Sequence, residues 1–97
     1  MQERRQPEII GGYVGSAGEI LRGDGFAVQK TATANYQVTI TAPGFRLVSV
    51  TAMTTGGNMV AVVVNVTQNS FLIVTYVAST GSGADIAFLF TAVGVQQ

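Results

Sequence analysis

Hydrophobic and polar residues alternate with period two along much of the chain after residue 25. The clearest example is the segment 36–41, in which every second residue is apolar and the residues between are polar. Because successive side chains of a strand point to opposite faces, this pattern predicts a strand with one buried face. Weaker alternation predicts further strands at 26–30, 45–54 and 86–90. In the segment 45–54, the shared face is expected to carry Val48, Val50 and Ala52.

Two long β-branched runs, residues 59–67 and 71–78, flank the polar tripeptide Gln68-Asn69-Ser70. β-branched residues favour a pleated surface, so the pattern predicts a central hairpin. The first run is apolar on both faces, with Val60, Val62, Val64 and Val66 on one side and Met59, Ala61 and Val63 on the other. Two layers are needed to cover such a strand. A chain of 97 residues supplies the second layer with difficulty, so copies of the chain are expected to cover it.

Turn signals separate the predicted strands at intervals of roughly ten residues. Ala42-Pro43-Gly44 is one of them, since Pro and Gly suit the two central positions of a turn. About six strands at this spacing predict an all-β fold, an antiparallel β-sandwich that is jelly-roll-like, with a compact barrel as the nearest competitor. Residues 1–22 are predicted to be an extended N-terminal anchoring arm and glycine-rich linker, and residues 23–97 the sandwich domain.

Charge is balanced and unevenly placed. Five basic and five acidic residues give a net charge of zero, and all of them except Asp85 lie at or before Arg46. Nucleic acid is not an expected partner, because phosphate binding needs a concentrated Lys/Arg surface. A membrane is not expected either, since the longest apolar run, Met59 to Val64, is far shorter than a spanning helix of ~20 residues. No signal peptide is predicted, so synthesis in the cytoplasm is expected.

Catalytic chemistry is nearly absent from the sequence. The chain has no histidine and no cysteine, and its carboxylates at Glu19, Asp24 and Asp85 form no spaced pair. Asp24 and Asp85 lie among small residues, which favours turn-forming or edge-protecting roles over metal binding, because hard cations need several oxygen ligands. We therefore expect no enzyme activity, no catalytic residue, no metal site and no cofactor.

Tyrosine and arginine side chains offer a second interpretation. Tyr13, Tyr36 and Tyr76 with Arg22 and Arg46 are residue types that stack against carbohydrate. The favoured alternative to carbohydrate stacking is that Tyr36 and Tyr76 pack within the fold with their hydroxyls at a rim.

The order of the β segments resembles the small β-sandwich modules at the ends of bacteriophage tail and head fibres. The resemblance covers about residues 23–94 and is carried by Gly25-Phe26-Ala27-Val28, Tyr36-Gln37-Val38-Thr39-Ile40, the valine-rich strand, Ser70-Phe71-Leu72-Ile73-Val74-Thr75-Tyr76 and Ala84-Asp85-Ile86-Ala87-Phe88-Leu89-Phe90-Thr91-Ala92-Val93-Gly94. It implies a trimeric virion protein that binds its own particle or a host surface. The chain departs from a full fibre, because it has no collagen-like repeat and no coiled-coil shaft.

With only a short arm in place of a shaft, a homotrimeric capsid-decoration protein on the virion surface is the leading expectation. Its partners would be its own copies and the major capsid protein or another virion protein. The expected particle-anchoring residues are Arg4, Arg5, Ile9, Ile10 and Tyr13, and the expected subunit-interface residues are Val63, Leu72, Val74 and Leu89. The alternative is a tail-fibre tip that binds a host-surface receptor or glycan through loops at 31–35, 55–58 and 80–84.

Overall fold

The computed structural model describes residues 7–96, which form eight β-strands. Each of the six strands predicted from the sequence has a counterpart, although the last runs over Phe88–Gln96 rather than 86–90, and two more strands precede them. The strands are β1 (Pro7–Val14), β2 (Ile20–Arg22), β3 (Phe26–Ala32), β4 (Asn35–Ile40), β5 (Phe45–Thr54), β6 (Met59–Val64), β7 (Ser70–Val77) and β8 (Phe88–Gln96). No helix in the described part of the chain is long and apolar enough to cross a membrane.

The strands make two antiparallel sheets of four, as in a β-sandwich. Sheet A has the order β2-β1-β8-β5, and sheet B has the order β3-β4-β7-β6. Three hairpins join strands that follow each other in the chain: β3–β4 and β6–β7 lie in sheet B, and β1–β2 lies in sheet A. Sheet A is built from distant parts of the chain, since β8 pairs with both β1 and β5. The predicted all-β antiparallel sandwich is therefore confirmed, with eight strands in place of about six.

The core lies between the sheets and is dominated by aromatic rings. Phe90 of β8 meets Phe26 of β3 edge-to-face with ring centroids 4.8 Å apart, and it meets Phe71 of β7 at 5.4 Å. Tyr36 packs against Phe88 in the same manner at 5.1 Å. Such geometries are favoured by the ring quadrupole. Because these contacts cross between the sheets, the aromatic rings hold the two layers together.

The N-terminal segment differs from the sequence prediction. Residues 7–14, assigned above to the arm, pair with β8 along their whole length, from Pro7 opposite Val95 to Val14 opposite Phe88. Gly12 lies on the inner face, where a Cβ would be only 2.7 Å from the Phe90 ring. Gly12, one of the glycines that suggested a linker, thus makes room for core aromatic residues. Of the predicted arm, residues 1–6 lie outside the described residues.

Strand β5 also departs from the predicted pattern. A register shift between Leu47 and Ser49 breaks the alternation, so that Val48 is 66% exposed while Val50 and Ala52 pack on the core. The expectation that Val48 shares their face is wrong. β-bulges of this kind turn one residue outward and reset the register.

The long hairpin is present, but β6 is the edge strand of sheet B. It ends at Val64, three residues before the predicted end, because Asn65 adopts a positive φ of 54°. Asparagine tolerates this left-handed conformation better than most residues. The two valine-rich runs are therefore one edge strand and one interior strand.

Candidate interaction surfaces

The outer side of β6 and β7 is an apolar surface, which we call the valine face. Phe71, Ile73 and Thr75 of β7 are fully buried on the inner side, so the alternate residues point outward. In register with them, every second residue of β6 also points outward. The valine face consists of Val60, Val62, Val64, Leu72, Val74 and Tyr76.

The valine face is only partly covered within one copy of the chain. Val62 exposes 36% of its surface, and the other five residues are half-buried. The remaining half of the same sheet surface is polar, with Gln29 opposite Gln37 on β3 and β4. No charged residue occurs anywhere between Arg46 and Asp85. The prediction of a hairpin that is apolar on both sides is therefore confirmed for β6 and β7.

The four expected interface residues do not share one surface. Leu72 and Val74 belong to the valine face. Val63 is opposite the buried Ile73 and packs on the core, so it points to the inner side. Leu89 lies on the outer side of sheet A, the other layer of the sandwich, and is 37% exposed. A flat contact through sheet B can include only two of the four.

The outer side of sheet A carries a groove of about 460 Å³, which we call the sheet A groove. Its floor includes the small residues Gly11, Thr91 and Thr51, which are opposite one another on three neighbouring strands. One wall is a row across all four strands, formed by Arg22, Tyr13, Leu89 and Met53. This volume lies within the usual range of small-molecule sites of roughly 300–1,000 Å³. The groove brings together Tyr13 and Arg22, two of the residues that the sequence offered for carbohydrate stacking.

The expected anchoring residues are divided between surface and core. Ile9 is 69% exposed, and Tyr13 lines the sheet A groove. Ile10 is 7% exposed and is part of the core opposite Ala92, so it is not free to bind another protein. Arg4 and Arg5 lie outside the described residues. Sequence reasoning missed Ile10 as a core residue because its strand partner, β8, is some eighty residues away.

The acidic residue Asp85, in the connection between β7 and β8, serves the fold. Asp85 accepts a hydrogen bond of 2.8 Å from the main-chain N–H of Ala34 and forms an ion pair of 3.1 Å with Lys30. These contacts, the N–H bond first, lower the pKa of Asp85 below its ordinary value. Ala34 has a positive φ of 68°, so Asp85 fixes a strained turn between β3 and β4. This placement agrees with the turn-forming role expected from the sequence.

Tyr36 is the most deeply placed polar aromatic residue. Its ring is fully buried, and its hydroxyl donates a hydrogen bond of 2.7 Å to the carbonyl of Ser16. Burial raises the pKa of this hydroxyl above its ordinary value, and the Asp85 carboxylate adds to the effect. Tyr36 therefore ties the β1–β2 connection to sheet B and is not available to stack against a ligand.

The three loops proposed for recognition meet at one end of the sandwich. Asn58 donates a hydrogen bond of 3.2 Å to Ser79, which joins the second loop to the start of the third. Asp85 at the end of the third loop holds Ala34 of the first. The loops are thus held by contacts with one another, and their side chains are mostly small. Within the described residues, no group of three acidic, His or Cys side chains is arranged to hold a metal ion.

Comparisons with protein-family models, with curated proteins and with solved structures find no match to this chain.

Proposed function

We propose that this protein is a homotrimeric structural component of a bacteriophage virion, a capsid-decoration protein that binds the major capsid protein or another virion protein. The observation that carries the proposal is the valine face. An uncharged apolar surface on an interior and an edge strand is costly to leave in water, and contiguous patches of this kind mark sites of association. The virion setting and the number of three copies come from the resemblance of residues 23–94 to fibre-end modules.

The valine face suits contact between copies of the chain. Val62 and Val74 lie opposite each other at its centre, and the hairpin that carries them contains no charged residue. Burying a valine side chain contributes roughly 1.5–3 kcal/mol, so recovering the exposed third of Val62 is worth about 0.5–1 kcal/mol in each copy. Six such residues in each of three copies supply a substantial driving force for a trimer. A small β-sandwich is the body that the resemblance implies for such a module, and the strand spacing favours a jelly-roll-like form of it.

Attachment to the particle is assigned to the opposite layer. The exposed side chain of Ile9 and the ring of Tyr13 lie on sheet A, on the far side of the sandwich from the valine face. Arg4 and Arg5 precede them in the chain and are proposed to add ion pairs with the particle. In this arrangement sheet B associates with copies of the chain and sheet A faces the capsid. Deleting residues 1–14 would remove β1, so substitutions are the better probe of attachment.

One experiment with three variants tests the proposal. Val74→Lys places a charge in the centre of the valine face, where desolvation is expected to cost several kcal/mol and to reduce the light-scattering mass to one third. Gln29→Lys adds the same charge to the exposed polar half of the same sheet surface and is expected to leave the mass unchanged. Ile9→Glu is expected to keep the mass but to abolish co-sedimentation with purified capsid shells. If Val74→Lys keeps the wild-type mass, or Ile9→Glu still binds shells, the assignment of the two sheets is refuted.

A tail-fibre tip that binds a host glycan is the second candidate, and the sheet A groove favours it. Arg22 and Tyr13 are side by side at one end of the groove, and hydroxyl groups of Thr51 and Thr91 lie on its floor. This is the chemistry that recognises sugars with an acidic group. Glycan binding by the isolated protein that is lost in Arg22→Ala, together with no binding to shells, would favour this candidate.

A further inference from the structure

The four edge strands of the sandwich are protected to different degrees. Natural proteins blunt sheet edges with short strands, charged residues or bulges, because an open edge pairs with other strands. In sheet A, β2 has only three residues, and β5 carries a bulge and the exposed Arg46. In sheet B, β3 has a register irregularity after Lys30, whose charged side chain forms an ion pair with Asp85. Strand β6 has six residues with no charge, no proline and no bulge.

The open main-chain groups of β6 can be identified from its ladder with β7. The N–H of Ala78 donates to the carbonyl of Asn58 at 2.9 Å, so residues 58 and 78 are a hydrogen-bonded pair. Since hydrogen-bonded pairs alternate in an antiparallel ladder, the even-numbered residues of β6 bond to β7 and the odd-numbered residues point outward. The carbonyl of Met59 is covered by the Thr54 hydroxyl at 3.0 Å. The N–H of Met59 and both main-chain groups of Ala61 and of Val63 are left, and no hydrogen bond outside the ladders engages these groups among residues 7–96.

We propose that two copies of the chain pair through their β6 edges, antiparallel and around a twofold axis at Val62. In this register Ala61 of one copy is opposite Val63 of the other, and each such pair exchanges two main-chain hydrogen bonds. The four outward groups of Ala61 and Val63 on each edge are thereby satisfied. No other symmetric register uses all of them, because centring the axis on Ala61 or on Val63 joins only one hydrogen-bonded pair of these residues.

A second copy of the chain is the partner that the β6 edge favours. Ala61 and Val63 present two N–H donors and two carbonyl acceptors. Rotation of a second copy about Val62 places each donor opposite an acceptor. Strands β6 and β7 carry no charged residue, so the two paired strands bring no like charges opposite each other. Pairing also places Val60 and Val62 of one copy beside Val64 and Val62 of the other on the same side of the joined sheet. The joined sheet would have eight strands and a continuous valine face.

This pairing goes beyond the proposed trimer and does not depend on it. The trimer uses the outer side of sheet B, whereas the pairing uses its edge, so the two contacts can coexist in a particle of six chains. The measurements separate them. Loss of the valine-face contact is expected to divide the light-scattering mass of the six-chain particle by three, and loss of the edge contact is expected to divide it by two.

Disulfide cross-linking tests the register directly, because the chain contains no cysteine of its own. In the proposed register Val62 is a non-hydrogen-bonded pair with itself, at a Cα separation of about 4.5 Å, which a disulfide can span. Val62→Cys is therefore expected to give a covalent dimer on mild oxidation at low micromolar concentration. Val60→Cys should not, because its neighbour is Val64, whereas a chain carrying both Val60→Cys and Val64→Cys should. Ala27→Cys, an exposed outward position on the protected edge β3, is the matched control.

A proline separates edge pairing from contact through the valine face. The N–H of Ala61 points away from β7, so Ala61→Pro removes no hydrogen bond inside the chain and leaves the valine face intact. It removes half of the proposed intermolecular bonds, and we expect at least about tenfold less dimer from Ala61→Pro with Val62→Cys. Val63→Pro, whose N–H also points outward, repeats the test should Ala61→Pro fail to fold. Cross-linking of Val62→Cys that equals the Ala27→Cys control, or that survives either proline, overturns the proposal.

Discussion

Removal of the Tyr36 hydroxyl is the most direct test of how the two sheets are tied together. In Tyr36→Phe the ring still packs against Phe88, but the 2.7 Å hydrogen bond to the Ser16 carbonyl is lost. Ser16 lies in an exposed connection, so water can replace the lost donor, and the expected cost is that of one net hydrogen bond, about 1 kcal/mol. For a domain of this size that corresponds to a fall in Tm of roughly 4–8 °C at a fixed protein concentration.

The same variant makes a prediction about alkaline pH. Burial raises the pKa of the folded-state Tyr36 hydroxyl above its ordinary 10.0, so the folded chain holds this proton more tightly than the unfolded chain. The associated stability is fully present below pH 10.0 and is lost as the pH rises through the folded-state pKa. Tyr36→Phe should therefore lose stability less steeply than the wild type above this pH, as measured by urea unfolding at several pH values.

The control for Tyr36→Phe is Tyr13→Phe, on the outer side of sheet A, which is expected to change stability by less than about 0.5 kcal/mol. A Tyr36→Phe protein with wild-type stability and a wild-type alkaline slope would refute the role given to this hydroxyl. It would also mean that the β1–β2 connection is held to sheet B by other contacts.

Two further substitutions test the packing and the turn. Gly12→Ala is expected to destabilise the fold by about 1–3 kcal/mol in urea unfolding, because the added methyl group meets the Phe90 ring at 2.7 Å. In the control Gly57→Ala, the added methyl group meets nothing within 4 Å and should not lower stability. Asp85→Asn should lose less stability than the wild type as the pH falls. The lowered pKa of Asp85 means that its carboxylate contributes stability above its ordinary pKa of 3.8, and this stability is lost as the pH falls through the folded-state pKa. Asp85→Ala also removes the acceptor of the Ala34 N–H and should be less stable than Asp85→Asn at neutral pH.

Each of these has a clear contrary result. Gly12→Ala as stable as Gly57→Ala would show that β1 does not sit against the core aromatics. An Asp85→Asn protein with the acid sensitivity of the wild type would show that the ion pair and the N–H bond do not hold this carboxylate in the folded state.

The faces of the hairpin show what periodicity can and cannot supply. Alternation correctly separates Val60, Val62 and Val64 from Ala61 and Val63. It does not say which set is inside, because a one-residue change in the pairing of β6 with β7 would exchange the two faces. The observed register places Val63 opposite the buried Ile73, which excludes it from an outward contact with Leu72 and Val74.

The sheet A groove could not be assembled from the sequence for a related reason. Its residues come from β1, β2, β5 and β8, and the pairings that align them join segments up to about eighty positions apart. Nothing local marks Tyr13, Met53 and Leu89 as neighbours. The signal that was available, a tyrosine and an arginine in a glycine-rich segment, indicated the chemistry but not the site.

The sequence alone determined the all-β class, the approximate positions of six strands, the shortage of charge around the valine-rich hairpin and the scarcity of catalytic side chains, because these depend on local patterns and composition. The tertiary structure decided that residues 7–22 belong to sheet A, that Val48 is turned outward by a bulge and that β6 lies at an edge. Each of these depends on which strands pair and in what register. Strand pairing depends on the free energy of burying whole sheet faces against distant partners. No single segment of the sequence determines that free energy.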